Sequence, residues 1–82
     1  MDRVKMQQII DRVLIDQWNG EYSEIRPEWV FGEDIPVDSL DLVEIAMSLE
    51  SKFNIAIEDE ELATAKTPEL LYQLISSKLQ LT

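Results

Sequence analysis

Apolar side chains recur at helical spacing in separate stretches of this sequence, and that periodicity is what most limits the possible folds. Over residues 2–18 the pattern predicts an amphipathic helix, with Asp2 as a suitable N-cap and Asn19-Gly20 as the stop. The apolar side of this helix comprises Met6, Ile9, Ile10, Val13 and Leu14. No stretch alternates with period two over a useful length, so no sheet is predicted.

Three further helices are predicted in the second half of the chain. One begins near Asp38-Ser39 and ends at about Lys52, with Asn54 just beyond it as a stop. Residues 58–62 predict one short helical turn with acidic residues at its start. Thr67-Pro68 then opens the last helix with a capping hydroxyl and a proline at the first helical position. The apolar side predicted for this last helix comprises Leu70, Leu71, Leu74, Ile75 and Leu79.

Residues 21–37 form a long first loop, because Pro27, Gly32 and Pro36 interrupt any sustained period. Long loops without regular structure are uncommon in compact domains and are usually functional. The side chains expected to hold this loop to the core are Tyr22, Ile25, Trp29 and Phe31. The predicted fold is therefore all-α: a small four-helix bundle with three main helices, one short helix and a long first loop. At this length, residues 1–82 are expected to form a single domain.

Composition excludes several classes of function. The 7 Lys and Arg residues against 17 Asp and Glu residues give a net charge of −10, which repels nucleic acid and favours basic partners. The absence of Cys and His removes disulfides, thiolate catalysis and the commonest general base and metal ligand. An enzyme is therefore not expected. No segment has the pattern of a signal peptide or a membrane span, so a cytoplasmic location is expected.

The second predicted helix has two apolar faces. One stripe, about 80° wide, is predicted to pack on the other helices and comprises Leu42, Ile45, Ala46, Leu49 and Phe53. A second stripe lies roughly opposite and comprises Leu40, Val43 and Met47. Glu44 and Glu50 lie at its margins, and Ser39 lies beside Val43. Burial all round is one interpretation of such a helix, but the acidic margins favour an exposed docking surface.

The segment from Asp34 to Ile45, DIPVDSLDLVEI, resembles the attachment site of the acyl carrier protein family. In that family an Asp-Ser-Leu triplet opens the second helix, and the serine hydroxyl receives 4′-phosphopantetheine from coenzyme A. The resemblance assigns this role to Ser39 and extends from Phe31 to the last helix. From position alone, Ser39 or Asp38 would be interpreted only as a helix N-cap.

The resemblance implies a carrier without catalytic activity of its own. Acyl intermediates would be held as thioesters on the arm and delivered to enzymes of fatty-acid or related biosynthesis, with the acyl chain able to enter the bundle. The reactive sulfur belongs to the cofactor, so the missing Cys is no obstacle. Expected partners are a phosphopantetheinyl transferase and acyl-handling enzymes with basic docking patches, without nucleic acid or membrane insertion, and the protein is expected to be a monomer. The positions that match partner contacts of the family are Asp38, Leu40, Asp41, Val43, Glu44, Met47 and Ile57.

Other interpretations stay open at this point. The same arm could carry aminoacyl, peptidyl or polyketide intermediates, and a non-covalent acidic docking module would use no arm at all. The acidic positions do not follow the ligand pattern of a calcium-binding EF-hand loop, so no metal site is predicted. Pro36-Val37 and Ser51-Lys52 depart from the family pattern, and these departures predict a carrier dedicated to a particular pathway.

Overall fold

The computed structural model describes residues 1–18 and 21–80, and these residues contain four helices. They are α1 (Arg3–Gln17), α2 (Ser39–Phe53), α3 (Asp59–Thr64) and α4 (Pro68–Leu79). The all-α prediction is confirmed, since pairing of β type within the described residues is limited to one isolated bridge between Phe31 and Ile35. None of the helices described is long and apolar enough to cross a membrane.

Local capping signals set most of the helix ends. The Asp2 carboxylate accepts a hydrogen bond of 2.8 Å from the Lys5 backbone N–H, so Asp2 is the N-cap of α1 as predicted. Asn54 ends α2 in the left-handed conformation, with φ of 55°, which asparagine tolerates better than most residues. The short helix α3 runs two residues beyond the predicted turn at 58–62. The predicted stop of α1 at Asn19-Gly20 lies outside the described residues.

The last helix begins as predicted, but one residue of its predicted apolar side is exposed. The Thr67 hydroxyl accepts a hydrogen bond of 3.1 Å from the Leu70 N–H, and Pro68 occupies the first helical position. Leu70 is 41% exposed, so its predicted place on the packed side is wrong. The buried face of α4 is centred on Leu71 and Ile75, and at 100° per residue Leu70 points away from it. Tyr72 is buried instead.

The core lies between α1, α2 and α4, while α3 packs on α4. Its members come from all three long helices, the first loop and the residue after α3: Met6, Ile10, Val13, Leu14, Ile25, Ile45, Leu49, Phe53, Ala65, Leu71, Tyr72 and Ile75. Burying such side chains is the main favourable term in folding a domain of this size.

The first loop is attached to the bundle by both apolar and backbone contacts. Ile25 is buried, and Trp29 and Phe31 pack against the core, as the sequence predicts. The backbone N–H of Phe31 donates a hydrogen bond of 2.9 Å to the carbonyl of Lys66. Tyr22 stacks edge-on with the rings of both Trp18 and Trp29, with 5.8 Å between centroids in each pair. The loop is therefore an ordered part of the fold.

A polar pair joins α1 to α4. The Tyr72 hydroxyl donates a hydrogen bond to the Asp11 carboxylate, and Tyr72 is buried while Asp11 is half-buried. Burial raises the pKa of Asp11 above its ordinary value of 3.8, although the Tyr72 hydrogen bond acts in the opposite direction. Burial, with the hydrogen bond to Asp11, likewise raises the pKa of Tyr72. Asp11 therefore opposes folding when it is ionised.

Asp11→Asn is expected to raise the free energy of unfolding near neutral pH. Because the folded pKa of Asp11 is raised, its ionisation penalty is absent below the unfolded pKa and grows as pH rises through the folded pKa. The advantage of the variant should therefore shrink as the pH falls, and urea unfolding at a series of pH values measures it. Asp16→Asn is the matched control, because it removes the same charge from an exposed position of α1. Equal gains in both variants would mean that general charge reduction is the cause.

Candidate functional site

The segment that leads into α2 is held by a tight turn. The Asp34 carboxylate accepts a hydrogen bond of 2.8 Å from the Val30 N–H, and the Gly32 N–H donates to the Ile35 carbonyl at 2.7 Å. Gly32 has φ of 88°, a conformation that a residue with a side chain rarely adopts. Ile35 and Val37 are buried. This anchored turn fixes where α2 begins.

The N-cap of α2 is Asp38, which leaves Ser39 free. The Asp38 carboxylate accepts from the Asp41 N–H at 2.9 Å, while the Asp41 carboxylate accepts from the Asp38 N–H at 3.2 Å, forming a capping box. Ser39 is the first residue of the helix and is exposed. Its hydroxyl has no hydrogen-bond partner among the described residues. Of the two residues that could cap the helix by position, Asp38 does so and Ser39 does not.

The two apolar faces of α2 are separated as predicted. On the packed stripe, Ile45 and Leu49 are at most 1% exposed, and Leu42 is half-buried. The opposite stripe is open: the exposed fractions, in sequence order, are 66%, 44% and 63% for Leu40, Val43 and Met47. Burial of α2 all round is thereby excluded. A row of large apolar side chains on the surface is typical of a docking site, but the docking role itself stays a prediction.

The two acids on the first turns of α2 are linked to α1 by one amide. Gln17 Nε2 donates to Glu44 Oε2 at 2.9 Å and to Asp41 Oδ1 at 3.3 Å. Asp41 is half-buried, and both its carboxylate oxygens accept hydrogen bonds within the chain. Glu44 is exposed and has a free oxygen. Of these two predicted partner-binding acids, Glu44 is thus the more available, and Asp41 stabilises the helix start.

Ile57, the predicted contact ahead of α3, is only partly exposed. Its side chain packs against the core, and its N–H donates a hydrogen bond of 2.9 Å to Glu50 Oε2. Glu50, which the sequence places at a margin of the docking stripe, is therefore committed to holding the α2–α3 connection. The structure brings together Ser39 and the exposed stripe, and it places Ile57 on the separate segment before α3.

A small cleft opens beside Ser39, between α2 and α3. Its volume is about 270 Å³, and its lining is mostly apolar. The lining residues are Ser39, Leu42, Val43, Asp59, Leu62 and Ala63. The sequence identified Ser39 and Val43 as part of the site, but it missed the contribution of α3. The sequence feature that indicates this contribution is the pair of adjacent apolar residues in the short helix, Leu62 and Ala63.

The site has the features that a covalently attached phosphate group requires. The hydroxyl of Ser39 is exposed and unpartnered. The first intrahelical hydrogen bond of α2 joins the Leu42 N–H to the Asp38 carbonyl at 3.1 Å. The N–H groups of Ser39 and Leu40 precede this bond, whereas the Asp41 N–H is already bonded to the Asp38 carboxylate. Such N–H groups, with the helix dipole, stabilise a negative phosphate.

The nearby carboxylates are engaged with backbone N–H groups and do not form a metal centre. Asp34, Asp38 and Asp41 each accept from a backbone N–H in the turn or helix start. Across residues 1–18 and 21–80, no group of three or more potential ligand side chains is placed to hold a metal ion.

Comparison with known proteins agrees with this geometry. The family model described as the phosphopantetheine attachment site matches residues 31–75, which include the capped helix start and the cleft. The chain is 44% identical over 69 residues to an acyl carrier protein of Rubrobacter xylanophilus, covering 84% of this chain and 85% of that protein. It is 36% identical over 72 residues to an acyl carrier protein of Petrotoga mobilis, covering 88% and 85%. For an acyl carrier protein of Thermosynechococcus vestitus, the identity is 33% over 79 residues, covering 96% and 98%. The predicted resemblance is confirmed, and the chain belongs to the acyl carrier protein family, whose cofactor is 4′-phosphopantetheine.

Proposed function

We propose that this protein carries acyl intermediates as thioesters on a 4′-phosphopantetheine arm bound to Ser39, and that it has no catalytic activity of its own. The observation that carries the proposal is the free hydroxyl of Ser39 at the start of α2, beside an apolar cleft. The matched attachment-site region includes this residue, and the relatives compared are named acyl carrier proteins.

Each part of the site has a distinct role in this function. Ser39 Oγ gives up its proton to the transferase and forms the ester bond to phosphorus, with the nucleotide part of coenzyme A as the leaving group. When bound, the arm supplies a thiol that holds the acyl group as a thioester. The N–H groups at the start of α2 stabilise the phosphate charge. Leu42, Val43 and Leu62 provide an apolar surface that keeps water from an acyl chain in the cleft.

The exposed stripe of α2 supplies the docking surface in this proposal, and its acid and apolar residues have separable roles. Glu44→Lys is expected to slow association with the transferase about 3- to 10-fold at low salt, because acids on such a rim steer encounter. Met47→Ala is expected to lower kcat/KM about 5- to 30-fold through faster dissociation, because truncating a buried contact typically costs about 1–2 kcal/mol. Loading kinetics at several ionic strengths distinguish the two effects.

Glu28→Lys is the control for the charge reversal at Glu44. Glu28 is an exposed acid of the first loop, and the change alters the net charge equally. If Glu28→Lys and Glu44→Lys slow loading to the same extent, the net charge of the protein and not the α2 surface steers the transferase. If Met47→Ala loads like the parent, the exposed apolar stripe is not the buried contact.

The alternative functions predicted from the sequence differ from the proposed one either in the cargo or in the absence of the arm. The names of the relatives favour acyl cargo over aminoacyl, peptidyl or polyketide cargo. A non-covalent docking module would leave Ser39 unmodified. A single domain, a monomeric state and a cytoplasmic location stay predictions.

Intact mass of the protein purified from its own cells tests the proposed function. The expected result is a species that carries the arm, part of it with an acyl group that hydroxylamine removes as a thioester. An unmodified chain that also fails to accept the arm from coenzyme A and a transferase in vitro would support the non-covalent module. Aminoacyl or polyketide cargo on the arm would correct the acyl assignment.

A further inference from the structure

An open groove beside α1 collects basic side chains on the surface of this acidic protein. The groove has a volume of about 780 Å³ and lies along α1, next to the end of α2 and the beginning of the first loop. Lys5 and Arg12 of α1 and Lys52 of α2 line it. It shares no lining residue with the cleft at Ser39, so it is a separate surface feature.

The cationic side chains of this groove make no ion pair with another described residue. Of the 7 Lys and Arg residues in the sequence, Arg3, Arg26 and Lys78 each make an ion pair with a glutamate. The other four, which include Lys66, make no ion pair with a carboxylate of the described residues. Three of these four line the groove. Although the chain has 17 acidic residues, the charged side chains that line this groove are mostly cationic.

The rest of the groove lining does not balance these positive charges. Asp11 is the one acid among the lining residues, so at most one negative charge of the lining opposes the three cations. Ile9 and Ile15 contribute an apolar surface. The groove therefore combines separated positive charges with apolar side chains.

We propose that the groove binds a short acidic segment of a partner protein, in which carboxylates are interspersed with apolar side chains. The carboxylates would pair with the three cations, and the apolar side chains would contact Ile9 and Ile15. Such a ligand fits because charges are screened beyond about 8 Å at physiological ionic strength, so a short segment responds mainly to the local cations. A long polyanion or an anionic membrane surface would extend over the remaining surface and be repelled by the net charge of −10.

This surface has the opposite sign to the proposed docking stripe on α2. A partner that presents basic residues to Glu44 and an acidic segment to the groove would be selected over one that has only the basic patch. The groove would then act in the choice of partner, since complementary charges favour the correct partner and like charges reject others.

A peptide titration followed by NMR tests the proposal. The probe is a short, end-capped peptide that alternates Glu and Leu, added to the full-length protein labelled with ¹⁵N. Saturable shifts are expected at the amides of Lys5, Gln8, Arg12 and Ser23, all of which line the groove. The triple variant Lys5→Gln, Arg12→Gln, Lys52→Gln is expected to weaken binding about 10-fold or more. A peptide with Gln in place of Glu should bind the parent protein as weakly as the Glu-Leu peptide binds the triple variant.

Two controls make the outcome decisive. Lys66→Gln removes an unpaired cation outside the groove and should leave the affinity unchanged. The triple variant should still accept the arm at Ser39, so failure of the groove is distinguishable from failure of the proposed function. Absent shifts, or an unchanged affinity in the triple variant, would overturn the proposal. Vesicles of phosphatidylglycerol that shift the groove amides when the peptide does not would identify a membrane-binding surface instead.

Discussion

Ser39→Ala is expected to abolish covalent loading completely. The variant has no hydroxyl to form the phosphate ester. Ser39 lies in the matched region and is exposed at the start of α2, and its hydroxyl makes no hydrogen bond that the substitution would remove. Incubation with coenzyme A and a broad-specificity transferase, followed by intact mass, measures the result. The free energy of unfolding should change by less than about 0.5 kcal/mol, because Asp38 and not Ser39 caps the helix.

Ser48→Ala is the matched control for that experiment. Ser48 is an exposed serine of the same helix, so its loss should leave loading at the parental level. Loading of the Ser39→Ala variant at the parental level would show that the arm is attached elsewhere. Loss of loading in both variants would show that transferase docking, and not the nucleophile, had been disturbed.

Leu49→Ala is expected to produce the largest loss of stability of any change considered. Leu49 is fully buried on the packed face of α2, and such a truncation costs about 3–5 kcal/mol through lost burial and the cavity left behind. A domain of this length has a total stability of roughly 4–12 kcal/mol. The variant should therefore be partly unfolded near room temperature or lose most of its resistance to urea.

Leu40→Ala makes the same chemical change on the opposite face of the same helix. Leu40 is 66% exposed, so its replacement should alter the free energy of unfolding by less than about 0.5 kcal/mol. Urea unfolding followed by circular dichroism compares the two variants directly. Similar losses at both positions would contradict the separation of α2 into a packed and an exposed face.

The helix starts and the two faces of α2 could be predicted because their causes are local in the sequence. Asp2 and Thr67 cap the helices that they precede, and the stripes on α2 follow from side-chain spacing alone. The sequence pattern predicts the wrong face for Leu70, because one apolar residue next to another does not reveal which of them faces the core. Tyr72 of the same helix is buried instead, because its hydroxyl is hydrogen-bonded to Asp11 on α1.

The long-range features of the site could not be predicted from the sequence. Gln17 lies 24 and 27 residues from the two acids it joins, and no local pattern signals that contact. The cleft beside Ser39 depends on how α3 packs, and the positive groove joins cations from two helices. These features depend on how the helices are arranged relative to one another. The spacing of residues along one helix carries no information about that arrangement.

The capping of α2 by Asp38 affects how the unmodified and modified forms of the protein compare in their resistance to degradation. Since the Ser39 oxygen contributes no hydrogen bond to the fold, forming or cleaving the ester there removes no interaction from the helix. The attached phosphate instead gains partners in the N–H groups at the start of α2, which only the folded chain provides. A group that is stabilised only in the folded state stabilises that state in return. Unmodified molecules should therefore unfold more often than mature ones, and proteases that sample unfolded chains would degrade the unmodified pool faster.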